Sequence, residues 1–396
     1  MLQELICRNE DLRKLQDAGF EMEMNGGYLV IHHIPYVANV NGTPTPKEDG
    51  ALVAQLNLSG MRLNEPFNHT AYFIGLCPCN ADGTKLSGVV NDSFRDKPLG
   101  NGLVGNYYLS NMPSSGKEHS YYDKFTRYES IISKPAEYLD KNLTARTFKP
   151  IRPDNNMNPF KYIDTMSSRY DIQTVNEKLQ NEKIAIVGLG GTGSYVLDFV
   201  TKTPVKEIHL FDGDVFSTHN AFRAPGAASF DELCARKQKT EYFASKYENM
   251  RNGVVSHAEY LTEDNIDQLL DFDFVFVCID NGRARRLVVE FLGYNGKSFV
   301  DTGMGLIVNE GAILGSVRTT ICNSENFEKA KANIPMGDPE ADAAYKTNVQ
   351  ISELNALNAA LAVVKWKQVM GFYDNQLNDS SDELVFSIND LTLLKH

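Results

Sequence analysis

The segment Lys183-Ile-Ala-Ile-Val-Gly-Leu-Gly-Gly-Thr-Gly193 decides the fold of this chain. Its first five residues form an apolar, β-branched run that predicts a buried strand, and residues 192–202 have the pattern of a helix. A second strand is predicted over Glu207–Phe211, so the segment opens a strand–helix–strand unit. Two later strands are predicted at 272–278 and 298–301, with a helix between them at 283–292. The predicted fold class is α/β, a Rossmann-like doubly wound sheet.

The glycines lie between a strand and a helix, where a G-x-G-x-x-G pattern has a physical meaning. Gly188 makes the tight turn, Gly190 lets the backbone approach a phosphate, and Gly193 allows the helix to pack closely on the strand. The helix N-terminus offers free N–H groups to an anion. Asp212 ends the second strand and can accept hydrogen bonds from ribose hydroxyls. These residues predict a nucleotide site.

The polar residues that follow favour ATP over a dinucleotide. Three phosphates require cations and a magnesium ion requires a carboxylate, whereas a dinucleotide's pyrophosphate is served by the helix N-terminus. Basic side chains and carboxylates of this kind occur in two places: in the segment after the second strand, and at the end of the buried strand at 272–278. They lie in Asp212-Gly-Asp214, at Ser217, Asn220 and Arg223, in Arg236-Lys-Gln-Lys239, and in Cys278-Ile-Asp-Asn281.

Over roughly residues 165 to 375, this combination resembles the ThiF/MoeB/E1 adenylyltransferases, which activate ubiquitin-like and sulfur-carrier proteins. Gly188–Gly193 is similar to that family's glycine loop, Asp212–Asp214 to its D-x-D, and Ser217–Arg223 to its S-x-x-N-x-x-R. Cys278–Asn281 is similar to its C-T-D-N. Lys239 matches the lysine of a K-P-K-x-E pattern, although Gln238 stands where proline is common.

The resemblance implies ATP-dependent adenylation of the C-terminal carboxylate of a ubiquitin-like or sulfur-carrier protein. It implies that Asp212 holds the ribose, that Asn220, Arg223 and Lys239 hold phosphates, and that Asp280 holds Mg²⁺. Asp214 is expected close to the reacting centre. Gly188, Gly190, Gly191, Gly193 and Asn281 complete the implied nucleotide-binding set.

Ser168-Arg169-Tyr170 is similar to the family segment in which an arginine reaches the ATP of the neighbouring subunit. The resemblance therefore implies that Arg169 acts in the partner's site and that the chain forms a homodimer. Two other functions stay open: an NAD-dependent oxidoreductase, and a nucleotide-binding module without turnover.

Residues 1–150 are predicted to form a smaller α+β domain of unassigned role, joined by a linker over 151–165 to the adenylyltransferase domain at 166–396. Short strands bounded by turn residues and one helix at 5–19 carry this prediction. The strands are predicted at 28–33, 52–56 and 70–74. Near the other end of the chain, residues 348–370 predict an amphipathic helix with Ile351, Leu354, Leu357, Leu361 and Val364 on its packed face.

Net charge, apolar runs and cysteine spacing limit the ligands, the cellular location and the metal sites that the chain is expected to have. A net charge of −12 argues against nucleic acid as the main ligand, since such binding depends on clustered Lys and Arg. No signal-peptide pattern and no run of about 20 apolar residues is found, so we expect no membrane contact and a cytoplasmic location. The six cysteines include no Cys-x-x-Cys pair, so no structural zinc is expected. The resemblance implies a thioester cysteine in or near a loop that crosses the site, but residues 323–396 contain no cysteine, so a thioester would depend on Cys322, Cys234 or the Cys77 and Cys79 pair.

Overall fold

The computed structural model describes residues 2–150, 158–170, 172–337, 349–374 and 382–396, without the side chains of 92–94, 168, 169 and 173. It contains two compact units. One consists of Met1–Ile151 with Asp164–Gln173, and the other consists of Arg152–Ile163 with Thr174–His396. No helix among the described residues is both long and apolar enough to cross a membrane.

The first unit is built on a six-stranded antiparallel sheet in the order β1-β2-β3-β6-β8-β7. The predicted strands at 28–33 and 52–56 belong to a long hairpin, β2 and β3, and the prediction at 70–74 corresponds to β6. The strands are β1 (Met22–Asn25), β2 (Tyr28–Val40), β3 (Thr43–Gln55), β4 (Leu58–Ser59), β5 (Arg62–Leu63), β6 (Ala71–Ile74), β7 (Val90–Gly100) and β8 (Leu103–Leu109).

Helices pack on this sheet and close its core. The helix predicted over 5–19 is instead two helices, because Asn9 interrupts it: its Nδ2 donates to the Leu5 carbonyl at 2.7 Å and its Oδ1 accepts from the Leu63 N–H at 2.8 Å. The Asn9 side chain therefore hydrogen-bonds both to the backbone of α1 and to the backbone of β5. The helices are α1 (Leu2–Arg8), α2 (Glu10–Asp17), α3 (Tyr121–Leu139) and α4 (Thr165–Arg169).

The second unit contains an eight-stranded sheet in the order β11-β10-β9-β12-β13-β14-β15-β16. The five strands from β11 to β13 are parallel, and β14 to β16 extend the sheet antiparallel. This confirms the predicted doubly wound sheet. The strands are β9 (Lys183–Val187), β10 (Glu207–Phe211), β11 (Val254–His257), β12 (Phe274–Val277), β13 (Phe299–Asn309), β14 (Ala312–Cys322), β15 (Glu383–Ser387) and β16 (Thr392–Lys395).

Helices cover both faces of the parallel half, which explains why β9 and β12 read as unbroken apolar runs. The helices are α5 (Gln173–Asn176), α6 (Gly191–Val200), α7 (Thr218–Ala221), α8 (Phe230–Cys234), α9 (Lys239–Tyr247), α10 (Gly282–Tyr294), α11 (Phe327–Ala332) and α12 (Ser352–Val369), with 3-10 turns at Glu177–Leu179 and Ile266–Asp271.

The predicted packed face of α12 is wrong. Val364 is 40% exposed, whereas Asn355, Ala359, Ala362 and Trp366 are almost fully buried. The helix lies against α6, and its buried Trp366 packs against Phe274 and Phe276 of β12. Close packing between helices favours small residues, so the predicted leucine-rich face of α12 is not its most buried face.

Arg251 fastens one edge of the second unit although its side chain is fully buried. Its guanidinium donates to the carbonyls of Thr203 (3.0 Å) and Val205, and its Nε donates to the carbonyl of Asn252 (3.0 Å). Burial lowers the pKa of this arginine to about 10, so it still carries its charge at neutral pH. A buried cation held by carbonyl oxygens is costly to remove, because those acceptors would lose their partners.

We predict that Arg251→Met lowers the free energy of unfolding by about 3 kcal/mol, because the buried carbonyls are left without donors. Chemical denaturation followed by circular dichroism measures the change. Lys237→Met is the control, since it removes the charge of an exposed side chain. Equal stability of the two variants would contradict the assigned role of Arg251.

Candidate functional site

A cavity of about 1200 Å³ opens at the carboxyl ends of β9, β10 and β12. This edge is where open α/β sheets bind ligands. Ten of the predicted site residues line the cavity: Gly188, Gly190, Gly191, Asp212, Asp214, Asn220, Arg223, Lys239, Asp280 and Asn281. Gly193 is buried at the start of α6, and the side chain of Arg169 lies outside the described part of the structure.

Each glycine of the loop meets a different constraint. Gly188 has a φ of +89°, and a Cβ on Gly193 would lie 1.9 Å from the Gly188 carbonyl oxygen. A Cβ on Gly191 would lie 2.0 Å from the amide nitrogen of Asn355. At Gly190, the N-cap of α6, a Cβ would meet no atom within 4 Å, so this position faces open space. The loop therefore leaves the N-terminus of α6 accessible to an anion.

Asp212 connects the loop to the next strand. One of its carboxylate oxygens accepts from the Leu189 N–H at 2.7 Å, and the other accepts from the Asp214 N–H at 2.8 Å. Lys239 Nζ lies 3.4 Å from Asp212 and 2.7 Å from Asp214. Asp212 and Lys239 are both buried, so the ammonium balances carboxylate charge at low exposure.

Tyr260 completes this group from the segment after β11, and its sequence carried no signal for the site. Its hydroxyl donates to Asp214, and its ring lies where a Cβ on Gly213 would come within 2.6 Å. The bond to Asp214 raises the pKa of Tyr260 to about 12. Burial opposes ionisation of Asp214, but hydrogen bonds from Lys239 and Tyr260 outweigh it and lower the pKa of that carboxyl.

Asn220 and Arg223 line the cavity, and each carries a buried N–H group that has no partner among the described residues. The Asn220 oxygen accepts from the Ser217 N–H at 3.0 Å, whereas its buried Nδ2 has no hydrogen bond. The buried Nε of Arg223 also has none. Buried donors are nearly always satisfied in folded proteins, so two such groups on one cavity wall fit an anionic ligand.

Asp280 and Asn281 lie between β12 and α10, and their side chains have different roles. The Asn281 oxygen accepts from the N–H groups of Arg283 and Ala284, both at 3.0 Å, and so caps α10. Asp280 is exposed and lines the cavity. In the described parts of the chain, no three His, Cys, Asp or Glu side chains form a metal-binding group. One carboxylate together with phosphate oxygens is a usual arrangement for Mg²⁺, so the residues fit that ion if Asp280 supplies the protein ligand.

Two further cavity residues were missed because they come from the far end of the chain. Asn355 accepts from the Thr192 hydroxyl at 3.0 Å and donates to the Arg223 carbonyl at 3.4 Å. Gln350 has a buried Oε1 with no partner among the described residues. The sequence signal for Asn355 was weak, because Asn358 is a second asparagine inside the same predicted helix.

None of the six thiols lines the cavity except Cys278. Burial raises the pKa of Cys278 to about 12, so this thiol stays protonated and is a weak nucleophile at neutral pH. Cys322 is also buried, and burial raises its pKa. Cys234 is exposed at the end of α8 but does not line the cavity.

Substitutions of Gly190 and Gly193 are expected to affect ligand binding and protein stability separately. We predict that Gly190→Ala weakens ATP binding at least about tenfold, or about 1.4 kcal/mol, without lowering the melting temperature, because its methyl group faces open space. Gly193→Ala is predicted to destabilise the protein by about 3 kcal/mol, because its methyl group meets backbone. Isothermal titration and thermal unfolding measure the two effects. Normal ATP affinity in Gly190→Ala would remove this loop from the site.

Comparison with known proteins identifies two family matches. The ThiF family matches residues 165–381, and a domain of unknown function, DUF6791, matches residues 10–165. Ubiquitin-like modifier-activating enzyme 5 of Drosophila simulans is 24% identical over 177 residues, 41% of this chain and 41% of that protein. The Rattus norvegicus enzyme is 23% identical over 175 residues, 41% and 42% of the two chains. The chain thus spans about two fifths of the length of these relatives.

Among solved structures, E. coli MccB with ATP is 20% identical with a TM-score of 0.44, covering 70% of this chain and 82% of that one. The E. coli tRNA N6-threonylcarbamoyladenosine dehydratase TcdA with AMP is 17% identical with a TM-score of 0.40, covering 52% and 93%. The ThiF match extends over more than half of the chain, which therefore belongs to the ThiF family.

Proposed function

We propose that this chain uses Mg-ATP to adenylate the C-terminal carboxylate of a ubiquitin-like or sulfur-carrier protein. The observation that carries the proposal is the pair of buried, unpartnered N–H donors on Asn220 and Arg223 in the same cavity as the glycine loop. Phosphate oxygens would satisfy both donors, and charge-assisted hydrogen bonds of this kind are the strong ones.

The cavity offers a separate place for each part of ATP. Its α6 N-terminus and the open space at Gly190 suit a phosphate, and the Asp212 carboxylate suits a ribose hydroxyl. Lys239 is held by Asp212 and Asp214 until a phosphate competes for its ammonium. Asp280 would hold Mg²⁺, which supplies charge neutralisation on the phosphates.

The reaction requires little covalent help from the protein. A carboxylate oxygen of the carrier attacks the α-phosphorus of ATP, a new O–P bond forms, and the bond to the bridging oxygen of the β-phosphate breaks. Pyrophosphate leaves with that bonding pair, and the carrier remains as an acyl adenylate. Arg223 and Lys239 would stabilise the developing negative charge, which is usually the largest contribution to such catalysis.

Two features support a protein carboxylate as the acceptor. The aligned relatives are named as activating enzymes for a ubiquitin-like modifier. The cavity of about 1200 Å³ exceeds the roughly 300–1,000 Å³ of ordinary ligand pockets, which leaves room for a peptide end beside ATP. Cys278, the thiol that lines this cavity, is kept protonated by burial, which makes it a poor nucleophile for a thioester.

We predict carrier-dependent exchange of labelled pyrophosphate into ATP. The exchange should require a small carrier protein with a free C-terminus, and Asp280→Asn should abolish it by removing the Mg²⁺ ligand. A panel of ubiquitin-like and sulfur-carrier proteins ending in Gly-Gly provides the substrates, and the same proteins with an amidated C-terminus are the negative controls.

Asp267→Asn is the matched variant, because that exposed carboxylate does not line the cavity. Lys239→Ala and Arg223→Ala should lower the exchange rate by a factor corresponding to roughly 1.5–3 kcal/mol each. Near-normal exchange in Asp280→Asn would overturn the assignment. Hydride transfer to NAD without pyrophosphate release would show instead that the chain is an NAD-dependent oxidoreductase.

A homodimer with shared sites is the second part of the proposal. Arg169 would reach the partner's phosphates, as the resemblance of Ser168–Tyr170 implies. Phe222, the neighbour of Arg223 in the chain, is 82% exposed, and Phe230 is 80% exposed. Two exposed phenylalanines within residues 222–230 support a contact surface on this segment of the second unit.

Mixing inactive chains tests this arrangement. We predict that Arg169→Ala and Asp280→Asn are each inactive alone and that their mixture regains about a quarter of wild-type activity, because half of the chains are then in heterodimers with one intact site. An active Arg169→Ala chain, or sedimentation of the wild type as a monomer at micromolar concentration, would contradict it.

A further inference from the structure

Arg285 lies on α10, five residues beyond Asp280, and its side chain is buried. Its guanidinium contacts three separate parts of the second unit. One nitrogen donates to the Ile279 carbonyl, which belongs to the peptide bond that precedes Asp280. The other terminal nitrogen donates to the Pro335 carbonyl at 3.1 Å, and Nε lies 3.3 Å from Asp301.

Asp301 forms an ion pair with this guanidinium. The aspartate is fully buried on β13, and its other oxygen lies 2.5 Å from Arg318 on β14. A buried carboxylate requires compensating charge, so the two arginines cannot leave without a large cost. Arg285 is therefore anchored to the sheet at one side while it holds the Ile279–Asp280 peptide at the other.

The same end of α10 contacts the chain segment before residue 338. Arg286 donates to the Met336 carbonyl, next to the carbonyl that Arg285 holds. A Cβ on Gly282 would come within 2.1 Å of the Gly337 carbonyl oxygen. The β12–α10 turn is consequently packed between the sheet and residues 335–337.

We propose that Arg285 is a positioning residue that holds Asp280 in place to bind the Mg²⁺ of Mg-ATP; this inference rests on the proposed function of Asp280. The guanidinium acts through the backbone, by fixing the peptide bond before the carboxylate. Only arginine suits the task, because its planar fork carries donors in several directions, whereas a lysine ammonium is a single point. Groups behind a metal ligand commonly change metal affinity 10-fold to 100-fold when they are altered.

The test uses the full chain and does not need the carrier protein. Mn²⁺ replaces Mg²⁺, and its binding to the ATP-loaded protein is measured by electron paramagnetic resonance. Arg285→Lys should weaken Mn²⁺ binding about 10-fold to 100-fold. Affinity for metal-free ATP should stay unchanged, and the double variant with Asp280→Asn should be no weaker than Asp280→Asn alone.

Deuterium uptake in the ligand-free protein gives a second readout. The N–H groups of Arg283 and Ala284 are bonded to Asn281 in the same turn, so their exchange should accelerate in Arg285→Lys. Arg251→Lys is the matched control: it changes another buried, carbonyl-bound arginine that does not line the cavity. This control should lose stability without altering Mn²⁺ affinity. If Arg285→Lys does not fold, Asp301→Asn loosens the same guanidinium and is expected to give the same two changes.

The outcomes separate the two hypotheses. Normal Mn²⁺ affinity in Arg285→Lys, with weak binding in Asp280→Asn, would overturn the role of Arg285 alone. Equally weakened binding of metal-free ATP would make Arg285 a phosphate ligand and would also overturn it. Normal Mn²⁺ affinity in Asp280→Asn would instead refute the proposed function of Asp280.

Discussion

The carboxylate of Asp212 is the constraint on which the nucleotide cavity depends. It accepts from the N–H groups of Leu189 and Asp214 and lies beside the ammonium of Lys239. These three groups come from the glycine loop, the end of β10 and the start of α9. A buried carboxylate is stable only when such partners compensate its charge. Asp212 therefore keeps these three segments next to one another.

A second buried carboxylate stands on the other side of the crevice. The order β10-β9-β12-β13 places the glycine loop and Asp280 at the ends of the two middle strands. Asp212 ends the outer strand on one side, and Asp301 lies in the outer strand on the other, next to Arg285 and Arg318. The cavity is therefore lined on one side by Asp212 and on the other by Arg285, whose charge Asp301 balances.

The helix α12, which comes late in the chain, also lines the cavity, through Asn355. Asn355 contacts the start of α6 through Thr192 and the segment after α7 through the Arg223 carbonyl. It can approach so closely because Gly191 has no side chain. A close approach of this kind favours small residues, and Ala359 and Ala362 are fully buried on α12 in place of the predicted leucines.

The sequence by itself determined four of the five parallel strands, the glycine loop and ten of the residues that line the cavity, whereas β11 was not predicted. These features are encoded over short distances, because a strand, its turn and the following helix are contiguous in the chain. Only the tertiary structure decided the rest: the break at Asn9, the buried face of α12, the entry of Asn355 and Tyr260 into the site, and the contacts of Arg285. Each depends on which segments meet in space, as when Asn355 meets Thr192 across 163 positions of sequence. Local spacing carries no information about such encounters, since packing and the compensation of buried charge select them.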